Sequence, residues 1–222
     1  MKKKILITTG GSGGHVLPAI TIYDHLKVKY DVLISTDLRG HKYLDSDIYK
    51  VFVVNTPRLN KLILLPFAII KVFFLTLKSL FLLKREKIEI LISTGGYMSL
   101  PLCLAAKMRN IKIFLLEPNM IIGRANRFFL NFCEKIICYD SNVIGFPDKF
   151  QNKLKISHPL IRNKYFDINY KADVDRIFTI IIIGGSQGAK IFDEIIHESI
   201  LEISKTKPLK IIHQTNQKNI NI

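Results

Sequence analysis

The chain has 222 residues, enough for one large domain or one and a part. Its 33 Lys plus Arg against 18 Asp plus Glu give a formal +15, which favours anionic partners such as nucleic acid, acidic lipid or a phosphorylated substrate. Three cysteines without C-x-x-C spacing exclude a disulfide framework or a cysteine zinc site, and no zinc-finger spacing or aromatic RNP-like motif speaks for nucleic acid.

Met1-Lys2-Lys3-Lys4 imitates the start of a signal peptide. The apolar run after it, Ile5-Leu6-Ile7, is too short for an h-region, so a cytoplasmic protein is expected. That run reads as a first buried strand. Ala19 to Leu26 carries apolar residues at helical spacing. Between them stands Thr8-Thr9-Gly10-Gly11-Ser12-Gly13-Gly14-His15-Val16-Leu17-Pro18. Glycine here lets backbone N–H groups and the positive end of a helix face a ligand, preferably an anion or sugar diphosphate. His15 stands at the lip. The loop is not the dinucleotide pattern G-x-G-x-x-G, whose third glycine would fall at Val16, nor the phosphate loop, since no Gly-Lys follows. A tight turn without a ligand is the plainer alternative.

Further strands are expected at Tyr30–Thr36, Val51–Val54, Ile88–Ser93, Lys112–Leu116 and Ile136–Cys138, the last taken to close the first domain. Short apolar strands alternating with helical stretches predict an α/β fold with a parallel sheet. Asp45-Ser46-Asp47 and Asp173-Val174-Asp175 each spell D-x-D, a pattern associated with metal-dependent sugar transfer, and both read as solvated loops. Leu62 to Leu83 is the most apolar stretch, but Pro66, Lys71 and Lys78 argue against a membrane span. The two lysines share one helical face, and Arg58, Lys61, Lys84, Arg85 and Lys87 flank the run. Two readings are open: a helix lying on an anionic membrane surface, or a core helix with snorkelling lysines.

A second glycine turn, Thr94-Gly95-Gly96-Tyr97, follows the fourth strand and leads into a helix from Ser99 to Met108. Glu117-Pro118-Asn119 ends the next strand, and Ile122 to Arg127 opens a helix with two arginines. Phe146 to Lys155 reads as a polar connection, and Ser157 to Arg162 as a crossover. A fresh unit begins at Ile177–Ile183, with Gly184-Gly185-Ser186-Gln187-Gly188, a helix from Ala189 to about Ser204, and a strand at Leu209–Gln214. One strand-helix-strand unit cannot cover both faces of its sheet, so the second domain is expected to be incomplete or to pack on the first.

Three glycine turns, each after a strand, together with Glu117-Pro118-Asn119 and Gly184-Gly185-Ser186-Gln187-Gly188-Ala189-Lys190, resemble the MurG transferase family across the whole chain. That family moves N-acetylglucosamine from its uridine diphosphate (UDP) onto lipid I. The resemblance implies a GT-B arrangement of two Rossmann-like domains: residues 1–158 an acceptor and membrane-associating domain, residues 159–222 the start of a donor-nucleotide domain. It implies that Ser12, Gly13, Gly14, Asn119, Arg162 and Ser186 contact the donor, UDP-N-acetylglucosamine. Gly184, Gly185, Gln187 and Gly188 would form its diphosphate loop. Gly95, Gly96 and Tyr97 would line the side of the acceptor, undecaprenyl-linked lipid I. His15 would be the catalytic base of an inverting transfer. No resident cofactor or metal is implied, and no nucleic acid. The implied location is peripheral, on the cytoplasmic face of the inner membrane, with anionic lipid met through Leu62–Leu83.

Three departures from the family pattern stand out. Ser12 replaces threonine, Leu116-Glu117-Pro118-Asn119 replaces His-Glu-Gln-Asn, and His158-Pro159-Leu160-Ile161-Arg162 is one residue longer than Asn-Pro-x-Arg. Two other readings are a non-catalytic lipid- or anion-binding remnant of a damaged gene, and a GT-B transferase with a diacylglycerol acceptor.

Overall fold

The computed structural model describes residues 2–57, 65–162, 165, 177–184 and 190–215. Two compact units are present, Met1–Asp167 and Ile168–Ile222. The first unit therefore runs past residue 158, the boundary expected from the sequence.

Seven parallel strands form the sheet of the first unit: β1 (Lys4–Thr8), β2 (Asp31–Thr36), β3 (Val51–Val53), β4 (Ile90–Ser93), β5 (Lys112–Glu117), β6 (Lys135–Cys138) and β7 (Leu154–Ile156). Their spatial order is β3-β2-β1-β4-β5-β6-β7. The order reverses between β1 and β4, which pair in register from Ile5 with Ile90 to Thr8 with Ser93. Ligands of open α/β sheets bind at the strand ends beside such a reversal, and both glycine turns lie there.

The helices are α1 (Gly13–Leu26), α2 (Leu38–His41), α3 (Leu65–Arg85), α4 (Leu100–Met108) and α5 (Arg124–Phe129). Strand alternation divides the core. Leu6 and Leu91 join the layer containing Leu83, Leu102 and Phe129, whereas Ile5 and Ile7 pack with Ala19 of α1. Cys103, Cys133 and Cys138 are buried free thiols; burial pushes Cys103 up to about 12 and Cys138 up to about 11.

Two expectations are corrected and one open alternative is narrowed. The glycine stretch is only partly a loop, because α1 begins at Gly13 and carries Pro18 within it. Pro18 is the sixth residue of the helix, past the first turn, so the Gly14 carbonyl has no N–H at residue 18 to accept from. Ile136–Cys138 does not close the domain: Leu154–Ile156, assigned to a polar connection, pairs with it as an edge strand. Leu154-Lys155-Ile156 does alternate, but three residues are too few for the alternation to stand out from a polar connection. Of the two readings left open for the long apolar helix, its described side chains fit the surface one better. Its packed face is Ala68, Val72, Thr76, Ser79 and Leu83, while Phe67, Ile70, Phe73, Phe74, Leu77 and Phe81 are exposed. Small side chains permit close approach to α4, and the large ones are left outside.

The second unit contains β8 (Phe178–Ile182), α6 (Lys190–Ser204) and β9 (Leu209–His213), with the two strands parallel. Phe178, Ile181, Ile211 and Ile212 of this two-stranded sheet are exposed.

Candidate functional site

The carboxyl ends of β1, β2, β4 and β5 supply the site. Ser12 is the N-cap of α1, yet its side chain makes no capping bond, so the hydroxyl is left for other partners. His15, in the first turn, reaches across the strand reversal, and its Nδ1 lies 2.7 Å from the Thr94 carbonyl oxygen. A carbonyl only accepts, so Nδ1 donates and a neutral ring carries its lone pair on Nε2. Gly95 has φ +91, and a Cβ there would lie 3.4 Å from His15 Cε1 and 3.3 Å from Asn126 Nδ2. Both the left-handed backbone and the ring beside it select glycine.

Glu117, 2% exposed, is the hub of the third loop. Its Oε1 accepts from the Asn119 backbone N–H (3.3 Å) and from Asn119 Nδ2 (2.8 Å). Its Oε2 accepts from the Gly123 N–H at 2.7 Å and from Asn126 Nδ2 at 3.0 Å. The Asn119 amide is thus oriented with Oδ1 available for a ligand. Replacement of the family's imidazole and second amide by Leu116 and Pro118 leaves this hub intact.

Asp37 caps α2 and ties the first glycine turn to it. Its Oδ1 accepts from Gly11 N–H at 3.0 Å and Gly40 N–H at 2.8 Å, and its Oδ2 from Arg39 Nε at 3.0 Å. Burial raises the Asp37 carboxyl, but the two backbone N–H groups and the Arg39 guanidinium outweigh it and hold it below its ordinary value. A Cβ on Gly40 would overlap the Thr36 hydroxyl and lie 3.2 Å from Gly10 Cα, so this contact requires glycine. Arg39 Nη2 also donates to the Tyr97 hydroxyl.

These groups surround a cavity of about 920 Å³. Its lining includes the polar side chains of His15, Arg39, Glu117, Asn119 and Arg124, the apolar ones of Leu100, Leu104 and Phe128, and Gly96 and Tyr97. A second cavity, of about 420 Å³, lies against Gly13, Gly14, Tyr139, Leu160 and Arg162. The residues assigned to the donor are therefore divided: Gly13, Gly14 and Arg162 share the smaller cavity, whereas Asn119 lines the larger one with His15. Ser186, Gly185, Gln187 and Gly188 lie outside the described residues; Gly184 follows β8 in the second unit. Of the D-x-D segments, Asp45-Ser46-Asp47 is exposed, with the Asp47 N–H donating to Asp45 Oδ1, and Asp173–Asp175 lies outside the described residues. Sequence reading missed Asp37 and Arg39. Their signal was position: Thr36-Asp37-Leu38-Arg39-Gly40 leaves β2 at the same sheet edge as the glycine turns.

A transferase named UDP-N-acetylglucosamine–N-acetylmuramyl-(pentapeptide) pyrophosphoryl-undecaprenol N-acetylglucosamine transferase, from Pelagibacter ubique (strain HTCC1062), is 49% identical over 221 residues, 99% of this chain and 62% of that protein. A protein of the same name from Rickettsia bellii (strain RML369-C) is 35% identical over 97% of the chain and 61% of its own length. The crystal structure of Acinetobacter baumannii MurG has the same fold, with a TM-score of 0.74 at 22% identity over 99% of this chain and 62% of that one. A UDP-N-acetylglucosamine 2-epimerase from Rickettsia bellii shares the fold at a TM-score of 0.62 and 15% identity, over 100% of this chain and 64% of that one. The chain thus spans about 62% of the length of the Pelagibacter relative. The profile of the glycosyltransferase family 28 N-terminal domain matches residues 5–138, from β1 through β6, and the chain belongs to that family.

Proposed function

We propose that the chain carries the acceptor side of an inverting transferase that moves N-acetylglucosamine from UDP-N-acetylglucosamine to lipid I, giving lipid II for peptidoglycan. The observation that carries this reading is the His15–Thr94 hydrogen bond, which spends Nδ1 and leaves Nε2 basic at the rim of the larger cavity. In the reaction, Nε2 takes the proton of the muramyl C4 hydroxyl as its oxygen attacks C1 of N-acetylglucosamine, and UDP departs. A base so placed contributes roughly 10²–10⁴ in rate. The cavity suits an acceptor with both polar and lipid parts, since Leu100, Leu104 and Phe128 line it together with the charged groups.

Ser12, Gly13, Gly14, Asn119 and Arg162 are assigned to the donor. The unspent N–H groups at the start of α1 and the Arg162 guanidinium favour its diphosphate. Gly184, Gly185, Ser186, Gln187 and Gly188 complete that assignment. Gly95, Gly96 and Tyr97 face the acceptor. The exposed phenylalanines of α3, with Lys71 and Lys78 along one edge, are the surface by which the protein rests on the anionic cytoplasmic face of the inner membrane.

The test is His15→Ala in this chain joined to the remaining length of the Pelagibacter relative, assayed with radiolabelled donor and lipid I. The expected result is a kcat lowered by about 10²–10⁴ with KM little changed. An unaltered kcat counts against His15 as the base.

A further inference from the structure

We propose that Arg39 is a positioning residue, which aims the Tyr97 hydroxyl into the larger cavity as a hydrogen-bond donor to the acceptor. The inference rests on the reading of that cavity as the acceptor site.

Asp37 is 2% exposed, whereas the Arg39 side chain is 42% exposed. The carboxylate is anchored in the fold by two backbone N–H groups and holds the guanidinium by Nε, so the arginine leaves the protein surface in a fixed direction. Its far end donates to the Tyr97 oxygen through Nη2, and the guanidinium carbon lies 5.7 Å from the Tyr97 ring centroid. Arginine has only donors, so the phenol oxygen is the acceptor in this bond and the phenol's own proton is directed elsewhere. Tyr97 lines the cavity, two residues from the Gly95 that packs on the His15 ring. Asp37 and Arg39 thus fix a donor in the cavity that His15 also lines, without belonging to either glycine turn. The role needs two fixed donors on one planar group, Nε for Asp37 and Nη2 for Tyr97, which the point charge of lysine cannot reproduce.

Arg39 also lines the cavity, so direct contact with the acceptor is the competing arrangement, and a double-mutant cycle separates the two. The probe is a lipid I analogue with a short prenyl chain, titrated calorimetrically into the 222-residue chain. Arg39→Gln and Tyr97→Phe are each expected to weaken binding about tenfold, and the double variant to be no weaker than either single one. Additive losses, or a loss in Arg39→Gln alone, overturn the proposal.

A second measurement is independent of the probe. The chain has 8 Tyr, so ¹³Cζ-labelled tyrosine gives a small set of signals, with Tyr97 identified by its loss in Tyr97→Phe. The Tyr97 signal is expected to move in both Arg39→Gln and Arg39→Lys, and in Asp37→Asn although Asp37 does not touch it. An unmoved signal in Arg39→Gln overturns the positioning role. Failure of the parent chain to bind the probe removes the acceptor reading of the cavity, and with it the proposed purpose of the pair, while the tyrosine spectrum still decides whether Arg39 sets the phenol.

Discussion

A single carboxylate, Asp37, joins three pieces of backbone that are far apart in sequence or differ in conformation: Gly11 at φ +88, the start of α2, and the arm reaching Tyr97. Its folded-state value lies below the ordinary 3.8, so it stabilises the fold fully at any pH above that ordinary value. The contribution is lost as pH falls through the lower, folded value. Thermal melts of the parent and Asp37→Asn between pH 7 and pH 3 are expected to differ by about 2 kcal/mol above pH ~4, with the difference shrinking below it. A difference that grows toward acid contradicts this account. The residue scale is also where sequence reading was least complete. That His15, Gly95, Gly96 and Asn119 come together was legible because each stands just past the carboxyl end of a strand that could be read as an apolar run. Asp37 and Arg39 were not, since the partners that give them meaning lie 26 and 58 residues away. Glu117 was visible as a motif, but its four-donor hub depends on how Gly123 and Asn126 fold back toward it.

Among the elements, α3 is where composition misleads most easily. Its sequence is equally good for a core helix and a surface helix, because hydropathy does not say which arc packs. The deciding residues are the small and polar ones, Ala68, Thr76 and Ser79, which only a close contact with α4 explains. Phe67 is 72% exposed and Phe81 66%, in a helix whose best window has a mean hydropathy of 1.9. Full burial of such a side chain contributes about 1.5–3 kcal/mol. Phe73→Ser with Phe74→Ser is expected to weaken cosedimentation with vesicles containing anionic lipid by at least about tenfold, leaving the melting temperature nearly unchanged. Undiminished vesicle binding removes α3 from the membrane contact. The strands, in contrast, were legible almost to the residue, because fully buried parallel strands are continuous apolar runs. Only β7 escaped, at the edge where burial no longer writes itself into composition.

For the molecule as a whole, the decisive quantity is how much of a two-substrate site one polypeptide can hold. Fixing both reactants supplies roughly 7–11 kcal/mol of barrier lowering. The 222-residue chain spans 62% of the length of the Pelagibacter relative. Assayed alone with radiolabelled donor and lipid I, the polypeptide is expected to turn over at least about a hundredfold more slowly than the full-length relative. Turnover near the relative's rate shows that the spanned part suffices. The two outermost strands of the large sheet, β3 and β7, have three residues each. Such short borders offer a neighbouring molecule almost no template for strand-to-strand growth into fibrils. If the chain self-associates, the exposed apolar face of α3 is the expected contact, so mild detergent is expected to reverse it without an amyloid dye signal.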